Sequence, residues 1–384
     1  MKMTEKLYNQ NAYLTSFEAR VLSATEVKGG YLVETDVTAF FPEGGGQGAD
    51  QGTLGGFSVL DVQEKDGRIF HLLNGAPTVG ETVKGEVDFA LRFERMQCHT
   101  GEHIVSGILH KLYGAENVGF HLSDIVTLDI NIPVDRAVLD HVEDLANEAV
   151  FRNLPVKISY PAPEALAAMT YRAKLDLTEN VRIVTIEDVD ACACCAPHVA
   201  HTGEIGLIKI LEFEKHRGGT RILMQAGARA LRDYREKYRN IAAIGAALSA
   251  KQHESAEAVE KLLVQNAQLE YEFKRHRIRA AEARAESLPK TEGSLAVFMD
   301  ADASYDELRA LCLAAKDRIG GVTAALSKSG NLYRYVMSAR DFSIEERLPE
   351  IHKALIGRGG GRGGIVQGTL GAEKDEILSY FEAL

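Results

Sequence analysis

The order of hydrophobic and polar residues changes character along the chain, and residues 1–90 form the first segment. This segment holds short runs of strand-forming residues, such as GGYLVETDVTAFF and TVKGEVDF, separated by glycine-rich turns. Short strands at close spacing, bounded by turn residues, are typical of small barrels and sandwiches. The pattern predicts a small N-terminal β-barrel.

At Leu91 the hydrophobic spacing becomes helical. In RFERMQCHTGEHIVSGILHKLYG the apolar residues recur near the spacing of a helix face, and Gly114 stands where a helix is expected to end. The next segments alternate between strand-like IVTLDINIP, helical RAVLDHVEDLANEAVFRN, strand-like VKISYPA, a short helix beginning at Pro163, and strand-like VRIVTIEDV. This alternation predicts an α+β domain over residues 91–230.

Residues 231–289 are predicted to be a long helical linker, because no proline occurs between Pro197 and Pro289. A coiled-coil-like heptad pattern places Val259, Leu262, Asn266, Leu269, Phe273 and Ala280 at positions a and d, with His276 as the misfit. A polar residue at an a position can fix the register of a helix pair. Two interpretations stay open: an antiparallel hairpin within the chain, or a contact between two copies in a homodimer.

Residues 290–384 have the size and pattern of an independent α/β domain. The strand-like segments are SLAVFMDA, GVTAALSKSG and NLYRYVMSA. YDELRALCLAAKDRIG is predicted to be a helix, and a second helix precedes the glycine loop GRGGGRGG. The fold class predicted for the whole chain is therefore α+β, with four successive segments.

The composition argues against several classes of protein. The N-terminus lacks an apolar signal-peptide core and no run of apolar residues is long enough for a membrane span, so a cytoplasmic location is expected. An odd number of cysteines, with Cys192, Cys194 and Cys195 crowded together, fits metal ligation or reduced thiols better than disulfides. The net charge of -11 argues against a uniformly basic surface, although residues 213–240 are rich in lysine and arginine.

Two pairs of residues predict a metal site. His99 and His103 are four apart on a predicted helix and can present both imidazoles to one ion. Cys194 and His198 are also four apart, and three histidines with one cysteine are a suitable tetrahedral set for zinc. The alternative donors in the same loop are Cys192, Cys195 and His201, and Cys192 with Cys195 forms a C-x-x-C pair that could serve redox chemistry or a separate site.

Two other functional hypotheses follow from the same residues. Residues 99–103, HTGEH, match the H-x-x-E-H pattern of a zinc peptidase, in which Glu102 would be the general base. A peptidase needs an open coordination position, whereas Cys194 and His198 can fill the site here. A non-catalytic tRNA-binding or coiled-coil scaffold is the third hypothesis, and it would not require four metal donors at matched spacing.

Four motifs give the chain a resemblance to a known family. They are FFPEGGGQGADQG at 40–52, HTGEH at 99–103, CCAPHVAHTGEIG at 194–206 and KHRGGTRILMQAG at 215–227. Their order and spacing resemble those of the editing half of alanyl-tRNA synthetases and of the free-standing alanyl-tRNA editing proteins of the long AlaX type. The C-terminal GRGGGRGG and GIVQGTL stretches resemble the DHH-associated domain of the same proteins.

The resemblance implies a trans-editing hydrolase, an aminoacyl-tRNA deacylase that removes serine or glycine from mischarged tRNA(Ala). It implies one Zn²⁺ held by His99, His103, Cys194 and His198. It also implies that Thr38 and Gln47 line the pocket, where their polar groups could hydrogen-bond a serine hydroxyl and so discriminate against alanine. The family's C-G-G-T-H is replaced here by C-C-A-P-H, and Pro197 removes a backbone N–H and any hydrogen bond from the family's threonine.

The tRNA is expected to contact basic residues. The candidates for phosphate contacts are Arg217, Arg221, Arg358 and Arg362, with Arg277 and Arg279 as further possibilities. The glycine loop lacks the G-K-[ST] ending of a P-loop, so ATP-independent chemistry is expected. Glu102, which created the peptidase match, is expected to be dispensable for the chemistry.

Overall fold

The computed structural model describes residues 3–173 and 181–384. The chain divides into two compact units, Met1–Ile241 and Ala242–Leu384. Both units mix helices with sheets, which confirms the predicted α+β class. Among the described residues, no helix combines the length and the apolar character that crossing a membrane requires.

The first unit contains most of the strands. These are β1 Glu5–Lys6, β2 Ser16–Val27, β3 Gly30–Thr35, β4 Val37–Thr38, β5 Gly52–Leu54, β6 Phe57–Lys65, β7 Arg68–Leu73, β8 Thr82–Val87, β9 Asn117–Leu122, β10 Val126–Ile130, β11 Val156–Ser159, β12 Ile183–Ile186, β13 Asp190–Ala193, β14 Ile208–His216 and β15 Gly219–Ala226. Its helices are α1 Leu7–Gln10, α2 Phe89–Tyr113, α3 Arg136–Phe151 and α4 Pro163–Ala168, and α5 Gly227–Leu248 continues into the second unit.

Six strands close into a barrel in the order β2-β3-β7-β6-β5-β8. Side chains alternate between the two faces of a strand, so every second residue can point inward. In β2 the inward residues Phe17, Ala19 and Val21 are buried, and β8 shows the same alternation. The barrel interior is therefore filled by apolar side chains.

Helix α2 is the central helix of the α+β part that follows the barrel. The Asp88 side chain caps its first turn by accepting from the Leu91 N–H, and Gly114 ends it in the left-handed conformation. Its residues from Met96 to Leu109 are almost all buried, between α3 and the four-stranded sheet β14-β15-β10-β9. A helix that is buried on all sides must satisfy its polar side chains inside the protein.

A buried ion pair joins this helix to the barrel. The Arg92 guanidinium donates to the Asp50 carboxylate, to Ala39 O at 2.6 Å and to Ala12 O at 3.0 Å. The same Asp50 oxygen, Oδ2, also accepts from the Phe41 N–H at 2.6 Å. Arg92 and Asp50 are both excluded from solvent, so the pair fixes the glycine-rich segment that ends at Asp50 against the helix.

The second unit is built on one five-stranded sheet, β16-β17-β18-β20-β19, in which only the β16–β17 pair is parallel. The strands are β16 Leu295–Met299, β17 Val322–Ser329, β18 Leu332–Ala339, β19 Gly357–Gly361 and β20 Ile365–Leu370. The helices are α6 Ser255–Glu286, α7 Tyr305–Ala314, α8 Ile344–Ala354 and α9 Lys374–Ala383.

The predicted long helix is interrupted after Leu248. Ser249 has a left-handed backbone with φ of 53°. The Ala250 N–H donates to Gly245 O at 2.9 Å and the Ser249 N–H donates to Ala246 O at 3.3 Å. These two bonds form a Schellman C-cap, which usually carries glycine at the left-handed position. Because serine occupies that position, no glycine signal marked the end of the helix.

The glycine-rich GRGGGRGG segment is a β-hairpin, not the loop that the sequence predicted. Strand β19 pairs with β20 along its whole length. A Cβ atom at Gly359 would meet Gln367 O at 2.3 Å, and one at Gly361 would meet Ile365 O at 2.0 Å. Glycine is therefore required because the neighbouring backbone comes too close for a side chain.

Candidate metal centre

Four predicted ligands meet at one point in the first unit. His99 and His103 lie on one face of α2, Cys194 directly follows β13, and His198 is in the loop beyond it. One ligand atom from each residue lies within 4.8 Å of all the others. The Cys194 Sγ is 3.6 Å from His99 Nε2 and 3.4 Å from His198 Nε2. The three imidazoles are almost completely buried, so this is a preformed cluster of donors.

The two sulfur–nitrogen spacings of the cluster fit zinc. Zinc binds imidazole nitrogen at about 2.0–2.1 Å and thiolate sulfur at about 2.3 Å, so a tetrahedron has edges of about 3.3–3.6 Å. The two sulfur–nitrogen distances of 3.4 and 3.6 Å lie within or at the end of that range. Three imidazoles and one thiolate are also a borderline-soft donor set, which zinc prefers over the oxygen ligands of magnesium or calcium.

Each histidine has a different partner for its outer nitrogen. The Nδ1–H of His99 donates to Gln47 Oε1 at 2.9 Å, that of His103 donates to Asp190 Oδ2 at 3.0 Å, and that of His198 donates to Thr100 Oγ1 at 3.0 Å. Such bonds fix the tautomer and the ring orientation, which leaves the Nε2 lone pair directed at the metal position. Thr100 and Asp190 were not predicted from the sequence.

The electrostatics of Cys194 and His198 suit a metal. Burial acts to raise the pKa of the Cys194 thiol, but the facing His99 and His198 rings lower it well below its usual value. Burial lowers the pKa of His198 to about 3. A thiolate and a neutral imidazole are the forms that bind a metal ion, so neither Cys194 nor His198 has to be deprotonated at neutral pH. At His103 burial acts to lower the pKa, but the bonds to Asp190 and Cys194 raise it well above its usual value, so a metal has to displace a proton there.

Asp190 is itself fixed by two partners. Arg172 donates from Nε to Asp190 Oδ1 at 2.8 Å and from Nη2 to Oδ2 at 2.9 Å, and its Nη2 also donates to Ser106 Oγ at 2.8 Å. Burial opposes ionisation of Asp190, but the hydrogen bonds from His103 and Arg172 lower the pKa of its carboxyl. A carboxylate therefore stands behind His103 at neutral pH.

Replacement of Asp190 by asparagine should weaken metal binding. The amide keeps the shape but lacks the charge that holds the His103 Nδ1–H and Arg172, and loss of such an outer partner costs about 10–100-fold in metal affinity. Zinc affinity measured by competition with a chelator checks this. Glu187→Gln is the control, since Glu187 is exposed and its one ion pair among the described residues is with Lys157. An unchanged affinity in Asp190→Asn would mean that the carboxylate does not support the ligand.

A cavity of about 490 Å³ opens beside the cluster. Its wall includes the ligands His99, His103 and Cys194, the aromatic ring of Phe120 and the backbone of Gly45 and Gly46. The charged and polar side chains on the wall are Glu102, Glu116, Asn117, Arg172 and Arg182. The donor cluster is therefore accessible to a small polar group.

Neither of the two residues that were expected to line the pocket, Gln47 and Thr38, is on the wall of this cavity. Gln47 lies behind His99, is 1% exposed, and its Nε2 has no hydrogen-bond partner among the described residues. Thr38 lies inside the first unit away from the cavity wall: its hydroxyl donates to His71 Nε2 at 2.8 Å and accepts from the Phe40 N–H at 3.1 Å. Burial lowers the pKa of His71 to about 4, so this imidazole is a neutral acceptor.

The competing donors of the same loop are placed differently. Cys192 lies with His103 and Asp190 in a second group of possible ligands, although burial raises the pKa of its thiol to about 11. Cys195 is exposed at the cavity wall. His201 is exposed and its Nδ1 lies 3.8 Å from Glu204. Neither Cys195 nor His201 belongs to a possible ligand group among the described residues.

The four arginines predicted to contact tRNA differ in their ion pairing and lie in different parts of the chain. Arg221 forms a two-point ion pair with Asp129, at 2.7 and 2.8 Å. Arg217 is exposed in the turn between β14 and β15. Arg358 and Arg362 are exposed in the hairpin of β19 and β20. Of the further candidates, Arg277 is paired with Asp302 and Glu307.

Comparison with known proteins assigns the family. A family model described as the threonyl and alanyl tRNA synthetase second additional domain matches residues 181–222, which include Cys194 and His198. The alanyl-tRNA editing protein AlaX-L of Pyrococcus horikoshii is 30% identical, over 98% of this chain and 97% of that protein. The chain belongs to the alanyl-tRNA editing protein family.

Alanine–tRNA ligases contain a region similar to this editing protein. The ligase of Halobacterium salinarum is 33% identical over 88% of the chain, and the aligned region is 39% of the ligase. The ligase of Archaeoglobus fulgidus is 29% identical over 98% of the chain and 43% of the ligase. The editing protein thus corresponds to less than half of either ligase.

Proposed function

We propose that the chain hydrolyses the ester bond of tRNA(Ala) that carries serine or glycine in place of alanine. The observation that carries the proposal is the buried cluster of His99, His103, Cys194 and His198, which borders a cavity in a chain of the alanyl-tRNA editing family. The product is free amino acid and uncharged tRNA, and no nucleotide is consumed.

The geometry favours this activity over a peptidase or a scaffold. A peptidase of the H-x-x-E-H type needs a carboxylate ligand and an open position for water. The ligand cluster here offers a thiolate and a third imidazole instead, while Glu102 accepts from Asn117 Nδ2 at 2.8 Å. A scaffold would have no need for three buried imidazoles, each oriented by its own partner.

Zinc is the metal that we propose for this cluster. By expanding its coordination beyond the four donors, it would supply Lewis-acid polarisation or an anchor for the substrate carbonyl. The side chains of the protein have separate roles. Gln47, Asp190 and Thr100 orient the three imidazoles. Phe120 and the Gly45–Gly46 backbone shape the cavity, and Arg182 donates to Cys194 O at 2.7 Å and to Ala196 O at 3.0 Å, which fixes the ligand loop.

Discrimination between serine and alanine is proposed to depend on polar groups near the cluster. A buried polar group that pairs with the serine hydroxyl would lose its partner when alanine is bound. The Gln47 amide is buried behind His99 and is not on the cavity wall, so we propose that Gln47 acts by orienting His99. The amide of Asn117 is a polar group that does lie on the wall. The hydroxyl of Thr38 is already occupied by His71, so we propose that Thr38 acts by fixing the strand end that leads into Phe40 and Phe41.

The purified protein should deacylate Ser-tRNA(Ala) much faster than Ala-tRNA(Ala). A site that hydrogen-bonds a hydroxyl rejects the substrate that lacks it by at least about 10²-fold and up to about 10⁵-fold. Release of labelled amino acid from both charged tRNAs measures the ratio of kcat/KM. Equal rates on the two tRNAs, or cleavage of peptides without deacylation, would contradict the proposed function.

We propose that phosphate contacts come from Arg217, Arg358 and Arg362, which are exposed and form no ion pair with a described residue. Arg221 should contribute least, because Asp129 already holds its guanidinium at two points.

The double variant Arg358→Ala/Arg362→Ala should bind tRNA more weakly at low salt. Each lost phosphate contact reduces the slope of log affinity against log salt by roughly 0.7–0.9. Filter binding of uncharged tRNA(Ala) at several salt concentrations measures that slope. Arg347→Ala is the control, because Arg347 lies on α8 and pairs with Glu350 at 3.5 Å. An unchanged slope in the double variant would place the tRNA elsewhere.

The segment boundaries remain part of the proposal: a barrel domain to residue 90, a zinc-binding editing domain at 91–230, a helical linker at 231–289 and a DHH-associated domain at 290–384. Within the linker, Leu262, Leu269 and Phe273 of α6 are 50–64% exposed. Exposed apolar residues in a heptad pattern support the proposed contact between two copies.

A further inference from the structure

Glu102 is a buried acid on the wall of the proposed substrate cavity. It precedes the ligand His103 on α2 and is 3% exposed. Burial of a carboxylate is costly unless the group is paired, so a buried acid at a cavity wall calls for a specific reason. The roles assigned above to the cluster and to its outer partners do not use this side chain.

Glu102 has no cationic hydrogen-bond partner among the described residues, although Arg172 is near enough for the two opposite charges to attract. Its Oε1 accepts one hydrogen bond, from Asn117 Nδ2 at 2.8 Å, and its side chain forms no ion pair with a described residue. Asp190, the other buried acid beside His103, is bonded by both His103 and Arg172. Glu102 therefore differs from Asp190 in having only a neutral donor.

Asn117 is held in the orientation that serves Glu102. Its Oδ1 accepts from the Gly119 N–H at 3.1 Å, so its Nδ2 amino group is turned toward the carboxylate. Asn117 also lies on the cavity wall. Together the two side chains present a carboxylate that is fixed in position while part of its accepting capacity stays available toward the cavity.

The substrate of the proposed reaction carries a positively charged group that a carboxylate on the cavity wall can bind. An aminoacyl ester has a free α-ammonium group next to the carbonyl carbon that is attacked. The four donors already complete a tetrahedral set, so a metal held there has no vacant position for an amino group unless it expands its coordination. A carboxylate accepts from an ammonium in a charge-assisted hydrogen bond, which is about twice as strong as a neutral one.

We propose that Glu102, positioned by Asn117, binds the α-ammonium of the aminoacyl ester. The inference rests on the proposed deacylase function and adds the group that recognises the free amino end of the substrate. Glu102 is then a substrate-binding residue and not the base, which is consistent with its expected dispensability for the bond-breaking step. An ester whose amino group is acylated lacks the charge and should bind poorly.

The test compares Ser-tRNA(Ala) with N-acetyl-Ser-tRNA(Ala) in the wild type and in Glu102→Gln. The glutamine keeps an oxygen that can accept from Asn117 but loses the negative charge. For Ser-tRNA(Ala) the variant should show a KM raised about tenfold to a hundredfold with kcat reduced much less, the range expected for a lost hydrogen bond to a charged group. For the acetylated substrate kcat/KM should change less than about threefold.

Two further variants test the positioning of the Glu102 carboxylate and provide a matched control. Asn117→Ala leaves the charge but frees the carboxylate, and should raise KM for Ser-tRNA(Ala) in the same direction by a smaller factor. Glu187→Gln, an exposed acid outside the cavity, should match the wild type on both substrates. Zinc content, measured by mass spectrometry, should equal that of the wild type in all three variants.

The outcomes separate the inference from the proposed function. A wild type that fails to hydrolyse Ser-tRNA(Ala) overturns the function and the inference together. An active wild type with Glu102→Gln unchanged on both substrates overturns only the inference. An equal loss of kcat on both substrates in Glu102→Gln would make Glu102 a base. Loss of zinc from Glu102→Gln and from Asn117→Ala would make the pair structural. Either result overturns the ammonium site.

Discussion

Alanine at Cys194 or at His99 should reduce deacylation of Ser-tRNA(Ala) by roughly a hundredfold or more, because the proposed chemistry needs the bound metal. Each substitution removes one of four donors and leaves the other three directed at an incomplete site. Zinc content and kcat/KM on Ser-tRNA(Ala) should fall together in each variant. Retained activity in a protein without zinc would contradict the metal-dependent proposal.

Two neighbouring residues provide matched controls for this experiment. Cys195→Ser changes the adjacent thiol, which is not in a ligand group, and should leave the zinc content unchanged. His201→Ala removes an exposed imidazole of the same loop, and both zinc content and activity should be retained. If Cys195→Ser or His201→Ala lost the metal, the assignment of Cys194 and His198 as the loop ligands would be wrong.

Asp50→Ala should strongly destabilise the first unit, although Asp50 lies outside the metal centre. It leaves the Arg92 guanidinium buried without its counter-charge, and breaking such a buried pair costs about 3–5 kcal/mol in the free energy of unfolding. The chain has no tryptophan, so far-UV circular dichroism or tyrosine fluorescence in a urea titration should follow the transition.

The control for Asp50 is Asp140→Ala. Asp140 forms an exposed pair with Arg136 on α3, at 2.9 Å, and loss of such a pair costs at most about 1 kcal/mol. A similar shift of the midpoint in both variants would show that the buried pair does not hold the barrel against the helix. Because the chain has two compact units, the comparison applies to the transition of the first unit.

The metal ligands could be predicted because each pair is local. His99 and His103 share a helix face, and Cys194 and His198 share a loop, so spacing indicates these donors. It leaves Cys192, Cys195 and His201 as competitors, and the family resemblance is what favours the first four. The outer partners lie far away in sequence: Gln47 is 52 residues from His99, Asp190 is 87 from His103, and Thr100 is 98 from His198. Contacts of this kind depend on the packing of the barrel, the central helix and the β13 region, and no local pattern contains them.

The secondary structure, too, is predictable from the sequence only where a local signal exists. Helix α2 was predicted because its period and its glycine end are local signals, and the structure confirms both. The end of α5 was missed because Ser249 takes a conformation that glycine usually provides. The hairpin of β19 was taken for a loop because its glycines suggest turns, whereas close backbone approach within the sheet is what requires them.

The segment from Gln47 to Asp50 touches α2 at two places that are two helical turns apart. Asp50 holds Arg92, and Gln47 holds the ligand His99. A shift of the barrel along the helix would therefore break both bonds and turn the imidazole away from the other donors. Occupancy of the metal centre and attachment of the barrel to the helix are thermodynamically linked, so an ion bound by His99 also stabilises the barrel, which supplies no metal ligand of its own.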